Sequence, residues 1–137
     1  MAALMPARRL HAVADRPKTL RLAWDGPFSL VNARSGHWWA NHAEDQMLRQ
    51  WAAMAGTDEG IHFTGPVQVE AMMTIARGVL PDCGAISLAV KHVIDGLVDA
   101  GVLPDDNSTH VISETYHAPE RTGRRSLIVL VKDADAS

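Results

Sequence analysis

The chain has 137 residues, a formal net charge of −3 and one cysteine. This length fits one domain whose core needs no disulfide or metal staple, and a lone Cys83 excludes an internal disulfide and suits a reducing compartment. No apolar run approaches the roughly 18 residues of a membrane span, so the sequence predicts a cytoplasmic protein with no membrane partner.

Basic residues gather at the two ends of the chain, whereas acids dominate its middle. Residues 1–21 carry five basic side chains against one acid, and residues 117–132 carry four against one. This distribution is compatible with a phosphate substrate bound through a cation, and equally with an ordinary acidic surface. We expect residues 1–17 to form a flexible basic arm and residues 18–133 to form the folded domain.

Hydrophobic periodicity predicts six elements in the order β-α-β-α-β-β. Alternating or continuous apolar residues predict strands over 19–24, 66–76, 110–117 and 126–131, and helical spacing predicts helices over 37–55 and 85–100. A short turn over 118–123 predicts that the last two strands pair as a hairpin. The expected fold is α+β, a single domain in which a mostly antiparallel sheet packs on two helices.

The sequence also predicts which face of each helix is buried and where each helix ends. The first would bury Met47, Trp51 and Met54 and end at Gly56. The second would end at Gly101, a glycine in the position of a left-handed cap. Its predicted apolar face comprises Ile86, Ala89, Val90, Val93, Ile94, Leu97 and Val98.

Residues 80–106 concentrate side chains suited to binding a cation. Asp82 precedes the second helix, Lys91 and Asp95 share its polar face, and the pair Asp105-Asp106 follows its end. Adjacent carboxylates repel unless a cation lies near them, and Mg²⁺ is commonly held by one or two carboxylates with water and substrate phosphate.

Each of these features also has a purely structural interpretation. Asp105-Asp106 suits a solvated turn, Asp82 suits a charge at a helix N-terminus, and Lys91 with Asp95 suits an i, i+4 ion pair worth about 0.3 kcal/mol. A helix of about 16 residues is roughly 24 Å long. Asp82 can therefore share an ion with the acid pair only if the loops fold back or a second subunit contributes.

The sequence lacks the residue patterns that mark several other common catalytic and metal sites. The seven histidines form no pair four residues apart on a helix, and no second cysteine is present, which argues against zinc. The chain also has neither a glycine-rich phosphate loop nor the Gly-x-Ser-x-Gly element of serine hydrolases.

The pattern Asp82…Lys91-x-x-x-Asp95-Gly-Leu-Val-Asp-Ala-Gly101-Val-Leu-Pro-Asp105-Asp106 resembles RusA-type Holliday junction resolvases. The Asn32-Ala-Arg34 loop and His37-Trp-Trp39 are similar to the polar loop and first helix of that family. The resemblance implies an endonuclease of bacteria and their prophages that acts in DNA recombination and repair. It also implies dependence on Mg²⁺ or Mn²⁺, a homodimer, and branched DNA such as a four-way junction as substrate.

The resemblance also implies roles for individual residues. Asp82, Asp105 and Asp106 would hold the metal, and Lys91 would stabilise charge on the scissile phosphate. The DNA would be contacted by Asn32, Arg34, Arg77, Lys91, Arg121, Arg124 and Arg125. Cys83-Gly84-Ala85 stands where the family has a second acid and an asparagine, so a junction-binding relative with impaired catalysis is one alternative. A small acidic protein that binds a cation or a protein partner is another.

Overall fold

The structure, a computed structural model, describes residues 18–31 and 38–134. The arm predicted for residues 1–17, and Asn32 and Arg34 of the predicted DNA contacts, lie outside these residues. The described elements are β1 (Thr19–Trp24), α1 (Trp38–Glu59), β2 (Val67–Ile75), a 3-10 turn (Cys83–Ile86), α2 (Ser87–Asp99), β3 (Val111–Tyr116), β4 (Glu120–Arg121) and β5 (Ser126–Asp133).

The five described strands form one mixed sheet in the order β1-β5-β2-β3, with the short β4 beside the end of β2. β5 is antiparallel to both β1 and β2, while β3 and β4 run parallel to β2. The predicted α+β class with two helices is therefore confirmed for the described residues. The prediction of a mostly antiparallel sheet is corrected to a sheet with two antiparallel and two parallel pairings.

The predicted hairpin between the last two long strands is wrong. α2 carries the chain from β2 to β3, so β3 pairs with β2 in parallel and lies at an edge of the sheet. β5 lies on the other side of β2, between β2 and β1. β5 is therefore an interior strand with hydrogen-bonded neighbours on both sides. Proximity in sequence favoured a hairpin, but the helical crossover determined the pairing.

One face of the sheet is buried under the two helices, and the opposite face is directed to solvent. Inward positions alternate along β1, β2 and β5, as expected for strands with one covered face. The sheet contributes to the core Leu20, Leu22, Val67, Val69, Ala71, Met73, Ile75, Leu127, Val129 and Val131. Neither of the two described helices is both long and apolar enough to cross a membrane.

The predicted buried face of α1 is right in part: Trp51 packs against the core, but the two methionines do not. Leu48 and Ala52 are almost fully buried, whereas Met47 is 49% exposed and Met54 is 67% exposed. Gly56 does not end the helix: it is buried, and a Cβ there would lie 2.6 Å from a methyl group of Leu97. The absence of a side chain thus allows α1 and α2 to approach closely, and α1 continues to Glu59.

The end of α2 matches its prediction. Gly101 has a φ of 74°, its N–H donates to the carbonyl of Val98, and the N–H of Val102 donates to the carbonyl of Leu97. These two bonds define a Schellman motif, and Val102 and Leu97 both belong to the buried core. The motif redirects the chain toward the loop that carries Asp105 and Asp106.

Candidate active site

The two adjacent acids after α2 have different surroundings. The Asp105 carboxylate accepts a hydrogen bond from the Asp106 backbone N–H at 2.7 Å and another from the Asn107 side chain at 3.2 Å. The Asn107 side-chain oxygen in turn accepts from the backbone N–H groups of Thr109 and His110. Asp105 therefore stabilises its own loop, as in the turn interpretation, and Asp106 is the acid that contacts α2.

Lys91 lies between two carboxylates. Its Nζ is 3.4 Å from Oδ2 of Asp106 and 3.7 Å from Oδ1 of Asp95, one turn further along α2. The Asp95 carboxylate is also 4.0 Å from Arg49 on α1. Arg49 makes a two-pronged ion pair with Asp99, at 2.6 and 2.8 Å. The i, i+4 pair expected from the sequence is present, and it belongs to a wider charge network joining α1, α2 and the Asp106 loop.

The Asp106 carboxyl is held in its ionised form by its neighbours. The side-chain contact with Asp105 is the largest cause that lowers the pKa of Asp106 from its ordinary value of 3.8. Burial opposes this shift, and the hydrogen bond from Lys91 adds to it. Asp106 is therefore anionic at neutral pH and able to attract a cation.

Lys91 and Asp106 line a cavity of about 210 Å³ between α2 and β3. The other residues that line it are Ser87, Ile94, Glu114 and Tyr116. Carboxylate, hydroxyl and ammonium groups thus share one concave site, which is the arrangement expected where polar side chains converge on a ligand.

Glu114 and Tyr116 were not among the residues singled out from the sequence. The Tyr116 hydroxyl donates a hydrogen bond to Glu114 Oε1 at 2.6 Å. Burial, followed by this bond, raises the pKa of Tyr116, so the phenol stays protonated and remains a donor at neutral pH. Because Glu114 and Tyr116 are two residues apart in a strand, both side chains lie on the same face of β3. Pairing with Val69 and Ala71 in β2 identifies that face as the one beneath the helices.

Asp82 is not among the residues that line this cavity. It occupies the position before the 3-10 turn, its side chain makes no capping hydrogen bond, and its backbone carbonyl accepts from the N–H of Ala85 at 3.0 Å. Neither Asp82 nor Asp105 lines the cavity. Within residues 18–31 and 38–134, no group of three or more His, Cys, Asp and Glu side chains is placed to hold a metal.

The cavity nevertheless offers ligands of the kind that Mg²⁺ and Mn²⁺ select. Asp106 and Glu114 supply carboxylate oxygens and Ser87 supplies a hydroxyl, all hard oxygen donors. Mg²⁺ is usually held by one or two carboxylates, water and substrate phosphates, so two carboxylates satisfy its ordinary protein requirement. The metal set of Asp82, Asp105 and Asp106 that the resemblance implies stays a prediction; of these three acids Asp106 lines the cavity, beside Glu114.

Three of the predicted DNA contacts, Arg77, Arg121 and Arg124, lie near the end of β2. Arg77 follows β2 and is exposed, and Arg121 of β4 donates from Nε to the carbonyl of Gly78 at 2.9 Å. Arg124 pairs with the exposed Asp25 at 2.7 Å. Arg125 is engaged differently, since its guanidinium lies over the Phe28 ring. Arg77, Arg121 and Arg124 therefore form a basic end of the sheet.

Comparison of the chain with protein-family models and with curated proteins gives no match.

Proposed function

We propose that this chain is a RusA-type, Mg²⁺-dependent endonuclease that cuts branched DNA by phosphodiester hydrolysis. The observation that carries the proposal is the meeting of Lys91 and Asp106 in one cavity with Glu114. A lysine beside two carboxylates provides a positive group for the phosphate and oxygen ligands for a cation, and both assist phosphodiester hydrolysis.

In this proposal Lys91 stabilises the negative charge that develops on the scissile phosphate. Asp95 and Asp106 hold its ammonium in position, so little reorganisation is needed during the reaction. Asp106 and Glu114 would hold Mg²⁺, which when bound supplies Lewis acidity and lowers the pKa of a bound water. The Tyr116 hydroxyl orients Glu114 by donating to one of its oxygens.

The basic end of the sheet would bind the DNA backbone. Arg77, Arg121 and Arg124 lie where β2 ends, and phosphate contacts by such residues position DNA without reading its sequence. Binding through them weakens as salt rises, because condensed counterions are released on association. We also propose that a homodimer presents two such sites to a two-fold symmetric four-way junction. Sedimentation of the purified protein tests that assembly.

A second candidate function is junction binding without cleavage. It is favoured by Cys83-Gly84-Ala85, which replaces an acid and an asparagine of the family pattern, and by the absence of a three-ligand group in the described residues. The two candidates share the DNA surface and differ only in hydrolysis.

The decisive experiment incubates the purified protein with a synthetic four-way junction, with and without Mg²⁺. Paired nicks that require the metal support the endonuclease. Binding without nicking supports the second candidate. Absence of junction binding at low salt, where phosphate contacts are strongest, rejects both.

Variants of the three acids then locate the site. Asp106→Asn should abolish nicking because it removes the carboxylate in the cavity, while Asp105→Asn should chiefly loosen the loop and lower thermal stability. Asp82→Asn tests the role implied by the resemblance. Loss of nicking with intact folding would mean that Asp82 joins the site when DNA is bound, and retention of nicking would assign the site to Asp106 and Glu114.

A further inference from the structure

A second cavity, of about 320 Å³, lies beside the N-terminal half of α1. The cavity is lined by the segment after β1, by one residue of α1 and by the residue before β5. The residues that line it are Pro27, Phe28, Ser29, Leu30, Glu44 and Arg125. None of them lines the Lys91 cavity, so this is a separate site.

One wall of the cavity is a fixed guanidinium. The Arg125 Cζ lies 3.8 Å from the centroid of the Phe28 ring, and its Nη2 donates to the Phe28 carbonyl at 2.7 Å. Burial lowers the pKa of Arg125, against an opposing effect of Glu44, and the group still carries its charge at neutral pH. A planar guanidinium held in this way is suited to stacking against a flat ligand.

A fixed carboxylate forms the polar side of the same cavity. The Ser29 hydroxyl donates to Oε1 of Glu44 at 2.8 Å, which orients the carboxylate. An ionised carboxylate accepts about four hydrogen bonds, so the one donor described within residues 18–31 and 38–134 leaves Glu44 with acceptor capacity there. The opposite charges of Glu44 and Arg125 offset each other, which disfavours a phosphate or a free cation and favours a neutral polar ring.

We propose that this cavity binds one unstacked nucleobase, with the ring on the Arg125 guanidinium and a donor edge on Glu44. The inference rests on the proposed function, because it takes the chain to be a DNA-binding protein. Stacking on arginine planes combined with hydrogen bonds to exposed base edges is a general mode of recognising unpaired bases. Guanine fits best, since its ring N–H and amino group donate together to the two carboxylate oxygens. Thymine fits worst, since its single N–H lies between two carbonyls that Glu44 repels.

The test measures binding of short labelled oligothymidines that carry guanine or thymine at one central position, by fluorescence anisotropy at fixed ionic strength. We expect the guanine oligonucleotide to bind roughly tenfold more tightly, the size of one two-pronged base contact. Glu44→Gln should abolish the preference. Arg125→Lys keeps the positive charge but removes the planar guanidinium, so it should weaken binding of both oligonucleotides. Glu59→Gln, at the exposed end of α1, is the matched control and should retain the preference.

Free guanosine and thymidine, titrated into isotopically labelled protein, form a second measurement that requires no phosphate contacts. Shifts of Arg125 and Glu44 with guanosine, and weaker shifts with thymidine, support the base site even if the protein fails to nick or bind a junction. Equal responses to the two nucleosides, or a guanine preference that survives in Glu44→Gln, overturn it. Thermal unfolding of each variant confirms that the fold is retained.

Discussion

The Lys91 ammonium lies 3.4 Å from the Asp106 carboxylate, although the two residues are 15 apart in sequence and the end of α2 lies between them. The Schellman motif at Gly101 and the hydrogen-bonded Asp105–Asn107 loop return the chain along the helix to make this contact. This contact joins Lys91, which lies on α2, to Asp106, which lies in the loop after it.

Replacement of Lys91 should impair the chemical step rather than DNA binding. Lys91→Met is expected to lower the rate of nicking roughly 100-fold, the usual effect of removing one group that stabilises transition-state charge. Junction affinity should change little, because Arg77, Arg121 and Arg124 supply the backbone contacts. Single-turnover nicking and anisotropy measure the two properties. Lys132→Met, on the solvent-directed sheet face, is the control, and a parallel loss of affinity in Lys91→Met would contradict the assigned role.

Removal of the Glu114 charge should weaken the response to metal. Glu114→Gln is expected to lower the rate of nicking about tenfold or more at limiting Mg²⁺, because one carboxylate of the pair is lost. The rate should recover in part at high Mg²⁺. Titration of nicking against Mg²⁺ measures this shift. Tyr116→Phe should give a smaller change in the same direction, since it removes only the hydrogen bond to Glu114. Glu120→Gln, in the exposed β4, should match the unaltered protein, and an unchanged metal response in Glu114→Gln would exclude Glu114 as a ligand.

The close approach of α1 and α2 predicts that a methyl group at Gly96 is poorly tolerated. A Cβ at this position would overlap the backbone carbonyl oxygen of Arg49, which has no rotamer by which to move away. Gly96→Ala should therefore destabilise the protein by about 1–3 kcal/mol, the usual cost of overpacking. Urea unfolding measures the change. Gly84→Ala is the matched control because a Cβ there meets nothing within 4 Å, and equal stabilities of the two variants would refute the packing argument.

The Glu70 carboxylate predicts an acid-sensitive contribution to stability. The ion pair with Lys132, followed by the contact with His117, lowers the pKa of Glu70 from its ordinary value of 4.5. A carboxyl whose pKa is lower in the folded state stabilises the fold above its unfolded pKa. That stabilisation is lost as the pH falls through the lowered folded value. For a surface pair we expect about 0.5 kcal/mol.

Chemical unfolding between pH 7 and pH 3 tests this contribution. Glu70→Gln should be slightly less stable than the unaltered protein at pH 7 and should lose less stability as the pH falls. Glu120→Gln should follow the unaltered protein throughout. If the free energy of unfolding falls equally with pH in Glu70→Gln and in the unaltered protein, the ion pair has no net effect on stability.

Local signals in the sequence predicted the six longer elements, but not the short β4, the 3-10 turn before α2 or every buried face. Alternation located β1 and β2, and the glycine at Gly101 marked the end of α2, because these features depend on backbone geometry over a few residues. The exposed face of α1 was misassigned at Met47 and Met54, since methionine is apolar yet tolerated at the surface. The sequence predicts a helix end at Gly56, but in the structure this glycine permits close packing of α1 on α2.

The sequence by itself determined the strand and helix segments, the acidic stretch around α2 and the motif that resembles RusA-type resolvases. The parallel pairing of β3 with β2, the place of β5 inside the sheet and the makeup of the Lys91 cavity were decided only in three dimensions. The physical reason is the crossover through α2. It places β3 under the helix, so that Glu114 and Tyr116 join Lys91 and Asp106 at positions that no local pattern connects.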